Sequence, residues 1–461
     1  MSPNVILHIG IGSFHRAHQA WYLHRSIESG RDDWSLAASA IRSDMVPLLE
    51  CLAAQHGAYV LETVSPSGER AYEIVRSIRE IVPWDVRLEA LIDVGARSTT
   101  RIVSCTVTES GYYLDDRHRL DPAQRDLATD LAGGRVTIYG AVAAIVRRRL
   151  EAKSGPVTLL TCDNLRANGH RFRDGLTEFL TLRGEDDLLA WLAENASFPS
   201  SMVDRITPRP GDDVAPRVLA ATGFDDGCPV MAESFIQWVV EDDFRGGRPA
   251  LEEVGVQFVE SVVPYEEAKI RILNATHACV AWAGTLLGKR FIHEGMADAA
   301  IAKIAYDYIT CDAIPALSPS PIDLGAYRDS TFERFGNPYV LDTNERVAAD
   351  GYSKILGWVV PTLTERLAVG ADLSATAALP ALFFLFLERW SRGDIPFPYR
   401  DGVMDEAVAR ALFSAANPLD AFAEDRALWG SLAGRPEIRS ALERSIEALV
   451  VALPYARPFN H

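Results

Sequence analysis

The sequence is poor in the features that mark exported, membrane-spanning or nucleic-acid-binding proteins. Its six cysteines, at 51, 105, 162, 228, 279 and 311, are scattered singly, which indicates neither a disulfide framework nor a structural metal centre. Lys and Arg total 46 against 63 Asp and Glu, a net charge of -17, so the basic footprint that nucleic acid or an anionic membrane requires is missing. Neither a leader-like segment before the strand-like VILHIG nor a charge-free apolar run of about 18 residues is present. We therefore expect a cytoplasmic protein without a nucleic-acid or membrane partner.

What is present is an alternation of strand-like and helix-like segments, in a chain of 461 residues that is long enough for two domains. The strand-like runs are VILHIG, WSLAASAI, TRIVSCTVT and PVTLLTCDN, and a helix from about His15 to Ser29 follows the first. This order predicts an α/β domain with a mostly parallel sheet covered by helices. After about Pro264, amphipathic stretches such as ALPALFFLFLERW and PEIRSALERSIEALVVAL predict a mainly α-helical domain. We place the domains at 1–263 and 264–461.

The first strand-like run leads into IGIGSFHRAH, a sequence typical of a dinucleotide-binding turn. Gly10 and Gly12 would let a pyrophosphate approach the backbone, and the following helix, opening at Ser13 and Phe14, would direct its amides at that anion. The third glycine of the usual pattern is replaced by His15. Asp44, just past the second strand, could accept hydrogen bonds from ribose hydroxyls and favour NAD; a solvated loop or N-cap residue is the alternative.

Residues 268 to 277, AKIRILNATH, place polar side chains in an apolar helix-like segment. On an ideal helix, Glu266, Lys269 and His277 lie within roughly 80°, and Asn274 about 60° further round, so one face could present all four. A lone lysine is more often a surface cation. The combination with a histidine and an amide, flanked by apolar residues, indicates a cleft with a catalytic role.

The chemistry that fits these groups is oxidation of an alcohol, in which the hydroxyl proton leaves as hydride departs from the same carbon. A lysine can accept that proton near neutral pH if burial lowers its pKa from about 10.4. Asn274 and His277 could hydrogen-bond the oxygen as negative charge develops. Asn164, in TLLTCDNLRANG, follows a strand-like run and could join them, although it could equally cap the next helix.

At this point the chain resembles a known family, the polyol-specific long-chain dehydrogenases, or mannitol dehydrogenase family, over nearly its full length. The matching segments are HIGIGSFHRAHQA, TESGYYLD, CDNLRANG, FPSSMVDRITP, ESFIQWVVED, Lys269-x4-Asn274-x2-His277 and RFGNPYVLDTNERVAADGYSKI. Other segments, such as AHQAWYLH and HEGMAD, are most similar to the D-arabinitol 4-dehydrogenases of that family, which make D-xylulose using NAD.

The resemblance implies a metal-independent NAD enzyme with a Rossmann-type N-terminal domain and a helical C-terminal domain. By this analogy Lys269 is the general base, Asn164 and Asn274 polarise the reacting oxygen, His277 binds the substrate and Glu266 lies on the proton path. The remaining implied contacts are Asp204, Arg346 and Lys354 to the polyol, and Glu109 and Gly111 beside the nicotinamide. His15 is normal in the family, so the missing glycine no longer counts against cofactor binding. Asp204 could instead form a structural ion pair with Arg205.

Three rival functions stay open. Within the family they are a mannitol 2-dehydrogenase and a fructuronate or tagaturonate reductase, which needs a free cation for the substrate carboxylate. Outside enzymes, the chain could be a dinucleotide-binding sensor, although a sensor would not need the whole Lys-Asn-Asn-His set. The oligomeric state stays open, although relatives in this family are often monomeric.

Overall fold

The computed structural model describes residues 3–30, 33–115 and 119–453. The chain divides into two compact units. The first unit comprises Met1–Ser65 with Glu69–Val263, and the second comprises Pro66–Gly68 with Pro264–His461. Among the described residues, no helix combines the length and the apolar character needed to cross a bilayer.

The first unit contains all the named strands of the described chain. They are β1 Asn4–Ile9, β2 Trp34–Ser39, β3 Tyr59–Val64, β4 Arg70–Val75, β5 Ile78–Ile81, β6 Thr100–Cys105, β7 Val157–Thr161, β8 Ala196–Ser197, β9 Ser201–Asp204, β10 Val230–Glu233, β11 Gln237–Glu241 and β12 Gln257–Val259. Six of them form one sheet in the order β5-β2-β1-β6-β7-β8, and every adjacent pair is parallel. The predicted parallel α/β fold is thereby confirmed.

The main sheet is buried on both faces, which explains why its strands read as apolar runs in the sequence. Successive residues of β1 show this: Ile6 belongs to one buried cluster, whereas Leu7 and Ile9 belong to the cluster on the other side. The order reverses between β1 and β6, the point at which open parallel sheets bind ligands beyond their carboxyl ends.

Nine helices of the described residues belong to the first unit: α1 Ser13–Ala17, α2 Gln19–Glu28, α3 Val46–Ala54, α4 Glu89–Ala96, α5 Arg125–Leu131, α6 Ile138–Ala152, α7 Asn168–Arg183, α8 Asp186–Asn195 and α9 Val214–Thr222. Short 3-10 turns cover Ser43–Met45, Glu109–Tyr112 and Leu251–Val254. The single helix predicted from His15 to Ser29 is wrong in one respect. It is broken into α1 and α2 at His18, whose φ of -125° and ψ of -90° are not helical.

Two small sheets were not predicted from the sequence. One has the order β10-β3-β4 and the other β12-β11-β9, and both contain an antiparallel pair. Four of their six strands, β9 to β12, have only three to five residues, and β10 pairs with the distant β3, so local patterns carried little signal. The β3–β4 pair is local and has six residues per strand, but the sequence analysis did not single it out. The β9 strand ends at Asp204, one of the candidate substrate residues.

The described residues of the second unit form helices joined by loops, and the isolated bridge between Phe291 and Thr343 is their only strand-like pairing. Its helices are α10 Val263–Ala268, α11 Ala275–Leu286, α12 Ile292–Met296, α13 Ala299–Asp307, α14 Ile314–Leu317, α15 Leu324–Phe335, α16 Asn344–Ala348, α17 Gly351–Lys354, α18 Val360–Ala368, α19 Ser374–Arg392, α20 Glu406–Leu412, α21 Pro418–Glu424, α22 Arg426–Trp429 and α23 Pro436–Ala452. A 3-10 turn covers Gly430–Leu432. The predicted helical C-terminal domain is confirmed.

Three π-helical segments interrupt these helices: Lys269–Asn274, Tyr308–Ala313 and Ile355–Val359. The first joins α10 to α11 in one continuous helical rod. Every residue from Ala268 to Thr276 is buried, which is the pattern of a helix enclosed on all sides. Further along α11, Trp282 packs on Phe383 of α19, with ring centroids 4.8 Å apart, so this rod lies in the core of the second unit.

Candidate active site

The candidate residues of the first unit follow the carboxyl ends of four neighbouring strands. Gly10 to Phe14 follow β1, Asp44 follows β2, Glu109 and Gly111 follow β6, and Asn164 follows β7. These strands are adjacent and parallel in the main sheet, so their carboxyl ends share one edge. The sheet therefore gathers on a single edge residues that are more than 150 positions apart in sequence.

The two glycines of the turn after β1 play different structural roles. Gly10 has φ +110°, and a Cβ built there would lie 2.3 Å from the Thr106 carbonyl oxygen, so the fold itself requires glycine. Gly12 has φ -63°, and a Cβ there would meet no atom within 4 Å. Nothing in the described chain explains a glycine at position 12. The open space on the side where a Cβ would lie is consistent with the close approach of a cofactor pyrophosphate to the backbone.

His15, the residue that replaces the third glycine, packs against the same turn. Its ring stacks on His8, with centroids 3.3 Å apart and planes 9° from parallel. Burial lowers the pKa of His8 to about 3 and, with the neighbouring His8 ring, lowers the pKa of His15 well below its usual value. His8 is anchored by Ser104, whose hydroxyl lies 2.8 Å from Nδ1. Two neutral, packed imidazoles thus brace the turn.

Asp44 lies in the 3-10 turn Ser43–Met45 and is solvent-exposed. It is not the N-cap of α3, a position that Met45 occupies. Arg42 donates to both of its carboxylate oxygens, at 3.1 and 2.9 Å, and these hydrogen bonds lower the pKa of Asp44. An ionised, accessible carboxylate at the end of β2 fits the acceptor that ribose hydroxyls require.

The loop carrying Glu109 and Gly111 is fixed by Asp163, a residue that the sequence analysis did not single out. Oδ1 of Asp163 accepts hydrogen bonds from the amides of Val107 and Thr108, both at 2.9 Å. Its other oxygen accepts one from the Tyr112 hydroxyl at 3.1 Å. The loop needs such an anchor because Thr108 has the strained φ of +66°.

Asn164 directly follows this buried aspartate and is itself exposed. The alternative in which Asn164 caps the next helix is wrong, because α7 begins at Asn168 and its N-cap is Ala167. Asn168 instead ties the segment down: its amide donates to the carbonyls of Asp163 and Ser201, at 2.9 and 2.8 Å. Asn164 therefore projects from a loop held on both sides.

Asp204 is buried at the end of β9, where it pairs in the ladder with Gln237. The neighbouring Arg205 directs its guanidinium at main-chain carbonyls, those of Glu233 at 3.0 Å and Ala17 at 2.5 Å. Burial lowers the pKa of Arg205 to about 10. These bonds give Arg205 a structural role in joining β10 to α1.

In the second unit, Lys269 and Asn274 occupy the two ends of the π-helical segment. In a π-helix, residues i and i+5 lie on nearly the same face. Lys269 and Asn274 are therefore closer together around the helix axis than they would be in the regular α-helix that the sequence analysis assumed. Lys269 is 7% exposed and Glu266, one turn earlier, is 5% exposed. The side chain of Asn274 is buried and makes no hydrogen bond to another residue in the described ranges, which leaves its amide available to a ligand.

His277 lies one turn beyond Asn274 and is linked to Arg346 through a carboxylate, that of Asp342. Arg346 donates to both Asp342 oxygens, at 2.7 and 2.6 Å. Nε2 of His277 lies 3.2 Å from Oδ2 of Asp342, a contact with the distance of an ion pair but without the angle of a formed hydrogen bond. Burial raises the pKa of Asp342, but His277 and Arg346 outweigh it and hold that pKa below its ordinary value.

Lys354 completes this group from the end of α17. Its Nζ donates to the Val347 carbonyl at 2.8 Å and lies 5.3 Å from the centre of the Trp358 ring. Burial lowers the pKa of Lys354 to about 8. Lys354 could therefore exchange a proton near neutral pH.

One group of residues in the described chain has the spacing of a metal site: His24, Glu28 and Glu73. The imidazole is badly set for a metal, because its Nδ1 faces the Arg76 amide at 3.4 Å, which leaves the hydrogen on Nε2, the atom facing both carboxylates. Glu73 also accepts a hydrogen bond from the Trp21 indole at 2.7 Å. The contacts of the group are accounted for without an ion.

Comparison with known proteins decides the family. The Mannitol dehydrogenase Rossmann domain matches residues 4–253, and the Mannitol dehydrogenase C-terminal domain matches residues 261–450. The chain belongs to the mannitol dehydrogenase family. This confirms the resemblance on which the sequence analysis relied.

Curated members of the family cover the chain almost completely. A D-arabinitol 4-dehydrogenase of Ralstonia nicotianae is 61% identical over 98% of each chain, and one of Klebsiella pneumoniae is 53% identical over 96% of this chain and 97% of its own. Among solved structures, Pseudomonas fluorescens mannitol 2-dehydrogenase in ternary complex with NAD and D-mannitol is 33% identical, with a TM-score of 0.86 over 99% of this chain and 94% of that one.

Sequence reasoning on this family member missed Asp342 and Asp163, which orient candidate residues from neighbouring positions. The signal for Asp342 was in the quoted segment VLDTNER, where it precedes Arg346 by four residues, the spacing of a helical ion pair. The signal for Asp163 was its place beside Asn164 after an apolar strand. Neither signal identifies the partner that the carboxylate contacts across the fold.

Proposed function

We propose that the chain is an NAD-dependent polyol dehydrogenase that oxidises D-arabinitol at C4 to D-xylulose, without a metal. The observation that carries the proposal is the burial of Lys269 and Asn274 together at the ends of one π-helical segment, a feature frequent at functional sites. The choice of D-arabinitol is supported by the two relatives named for that activity. We assign the cofactor to residues 1–263, and the catalytic lysine with most of the substrate contacts to residues 264–461; Asn164 and Asp204 are the substrate contacts proposed in the first range.

In the proposed reaction, Lys269 accepts the hydroxyl proton of the substrate. Lys269 is 7% exposed, and desolvation is the general means by which a lysine becomes able to act as a base near neutral pH. NAD, when bound, supplies the hydride acceptor. Glu266, buried on the preceding turn of the same rod, is proposed to pass the proton onward.

The amide of Asn274 is proposed to donate a hydrogen bond to the reacting oxygen as it becomes an alkoxide. A donor held at a buried position does not reorganise during the reaction, and each such donor contributes about 3 kcal/mol to transition-state stabilisation. We propose the same role for Asn164, which the sheet presents beyond β7. Asp204, Arg346 and Lys354 are proposed to contact the remaining polyol hydroxyls.

For the cofactor, we propose that the turn from Gly10 to Phe14 holds the pyrophosphate and that Asp44 accepts the ribose hydroxyls. The open space before Gly12 and the ionised, exposed carboxylate of Asp44 support this assignment. Glu109 and Gly111, on the loop that Asp163 fixes, are proposed to flank the nicotinamide.

The uronate-reductase alternative needs a cation that can pair with a substrate carboxylate. Arg346 is already bonded twice to Asp342, and Lys354 donates to a main-chain carbonyl with its pKa lowered to about 8. The first observation favours a neutral polyol, because Asp342 already balances the charge of Arg346. Mannitol 2-dehydrogenation remains the second candidate, supported by the structural match to such an enzyme.

The substrate assignment is tested by following NADH absorbance with purified protein and D-arabinitol, D-mannitol, D-sorbitol, xylitol or D-fructuronate. We expect the largest kcat/KM with D-arabinitol and NAD. A larger kcat/KM with D-mannitol would select the second candidate. Turnover of D-fructuronate alone would select the reductase, and no turnover of any polyol in either direction would favour the cofactor-binding sensor.

The base is tested with a matched pair of lysine variants, Lys269→Met and Lys354→Met. We expect Lys269→Met to abolish turnover near neutral pH without weakening NADH binding, because it removes the proton acceptor and leaves the cofactor turn intact. Lys354→Met should raise KM and retain measurable kcat, since that lysine contacts substrate in the proposal. The reverse result would transfer the role of base to Lys354.

A further inference from the structure

Asp342 is held more rigidly than a loop aspartate usually is. The main-chain carbonyl of Asp342 accepts a hydrogen bond from the main-chain N–H of Ile292 at 3.0 Å. Two residues later, the main-chain N–H of Asn344 donates to the Arg290 carbonyl at 2.9 Å. The residue before it, Leu341, has φ +53°, a conformation that non-glycine residues rarely adopt and that clusters at functional sites. The backbone thus fixes the direction of a carboxylate that is 6% exposed.

His277 is held on two sides. Its ring stacks on the buried Phe335, with centroids 4.3 Å apart and planes 21° from parallel, and its Nε2 faces the Asp342 carboxylate at 3.2 Å. A carboxylate can only accept hydrogen bonds. A neutral imidazole in this setting therefore carries its hydrogen on Nε2 and keeps Nδ1 as an acceptor.

The charges around His277 favour that neutral form. Burial lowers the pKa of His277, Asp342 opposes this, and the cations of Arg346 and Lys354 lower the pKa further. With Asp342 engaged by Arg346 through two hydrogen bonds, its charge is shared between two partners. At neutral pH the imidazole thus keeps its one N–H on the side that faces the Asp342 carboxylate, without completing a hydrogen bond to it, and leaves Nδ1 as the acceptor.

We propose that Asp342 is a positioning residue that fixes the Nε2–H tautomer of His277 and the guanidinium of Arg346, so that the imidazole accepts a hydrogen bond from a substrate hydroxyl. This proposal rests on the proposed polyol oxidation, and it changes the role first given to His277, from donor to the alkoxide to acceptor from a hydroxyl. An acceptor nitrogen requires a donor on the substrate. A hydroxyl provides one and a carboxylate does not, so the arrangement requires a hydroxyl of the substrate at this position.

The substitution Asp342→Asn is expected to reverse the tautomer. Arg346 offers only donors, so the new amide turns its oxygen toward the guanidinium and its NH2 group toward His277. Nε2 must then accept, and the hydrogen moves to Nδ1. Nitrogen-15 NMR of protein labelled at histidine distinguishes the two tautomers, and the signals of His277 are identified by their loss in His277→Gln.

The matched control is Asp312→Asn in the same unit. Asp312 is also buried. It accepts hydrogen bonds from Arg366 at 2.9 Å and from the Thr376 amide and hydroxyl at 2.9 and 2.7 Å. A merely structural role predicts that both variants lose stability with unchanged kinetics. We expect Asp342→Asn alone to raise KM for D-arabinitol at least tenfold, with the dissociation constant of NADH unchanged.

The result that overturns the proposal is an Nδ1–H tautomer in the wild-type protein, or the same tautomer and the same KM in Asp342→Asn as in the wild type. If Asp342→Asn does not fold, the wild-type spectrum alone decides. Absence of polyol turnover by the wild-type protein would end the proposed function, whereas the NMR measurement still reports whether Asp342 fixes the tautomer.

Discussion

The substitution Gly12→Ala is expected to change cofactor binding without changing the fold. Position 12 has φ -63°, which alanine adopts without strain, and the added methyl group meets no atom of the described chain within 4 Å. Reduced freedom of the unfolded chain and the weaker N-capping of alanine roughly offset each other, so the free energy of unfolding should change by less than about 1 kcal/mol. The methyl group instead occupies the space proposed for the pyrophosphate.

We therefore expect Gly12→Ala to raise the dissociation constant of NADH at least tenfold, a loss of about 1.4 kcal/mol or more, as measured by fluorescence titration. The matched variant is Gly10→Ala, whose Cβ would lie 2.3 Å from the Thr106 carbonyl oxygen at φ +110°. Strain and overlap there should cost about 3 kcal/mol or more, enough to lower the melting temperature by roughly 6–12 °C. Wild-type NADH affinity in Gly12→Ala would refute the placement of the cofactor.

Three further predictions concern stability and metal. Burial raises the pKa of Asp163 from 3.8 to about 6. The folded carboxyl therefore binds its proton more tightly than the unfolded one. About 3 kcal/mol of the free energy of unfolding is lost as pH rises from about 4 to about 6. Asp163→Asn keeps the acceptor for both amides and should flatten this loss in urea titrations from pH 4 to 7; an unchanged pH dependence would contradict it. Arg149 is fully buried and donates five hydrogen bonds to main-chain carbonyls. Arg149→Met should therefore lower the free energy of unfolding by about 3–5 kcal/mol. A loss below about 1 kcal/mol in the same urea titration would show that water can replace these hydrogen bonds. EDTA should leave turnover unchanged, and activity lost to EDTA and restored by zinc would contradict metal independence.

The sheet was predictable because its strands are covered on both faces and therefore leave apolar runs in the sequence. The runs at VILHIG and TRIVSCTVT end within a few residues of β1 and β6. The small sheets left a weaker pattern, since β9 to β12 have only three to five residues each and β10 pairs with the distant β3. The periodicity of apolar residues indicates that a segment is buried, but it does not indicate which other segment covers it.

The candidate catalytic residues were found because their types and spacing are unusual in an apolar helix, and because the family resemblance gave them roles. Their geometry was not predictable. A regular helix separates Lys269 from Asn274 more than the π-helical segment does, and an insertion of this kind depends on packing around the helix rather than on its own residues. The link from His277 to Asp342 spans 65 positions and depends on the backbone of a separate loop.

The sequence by itself determined the family, the two-part organisation and the identity of the polar residues, because chemistry requires particular side chains and burial requires particular periodicities. Tertiary structure decided which of those side chains share an environment. It distinguished the glycine that the fold needs from the one that it does not, excluded Asn164 as a helix cap, and placed a carboxylate against His277 and Arg346. Such facts depend on distances between remote segments, which no local pattern encodes.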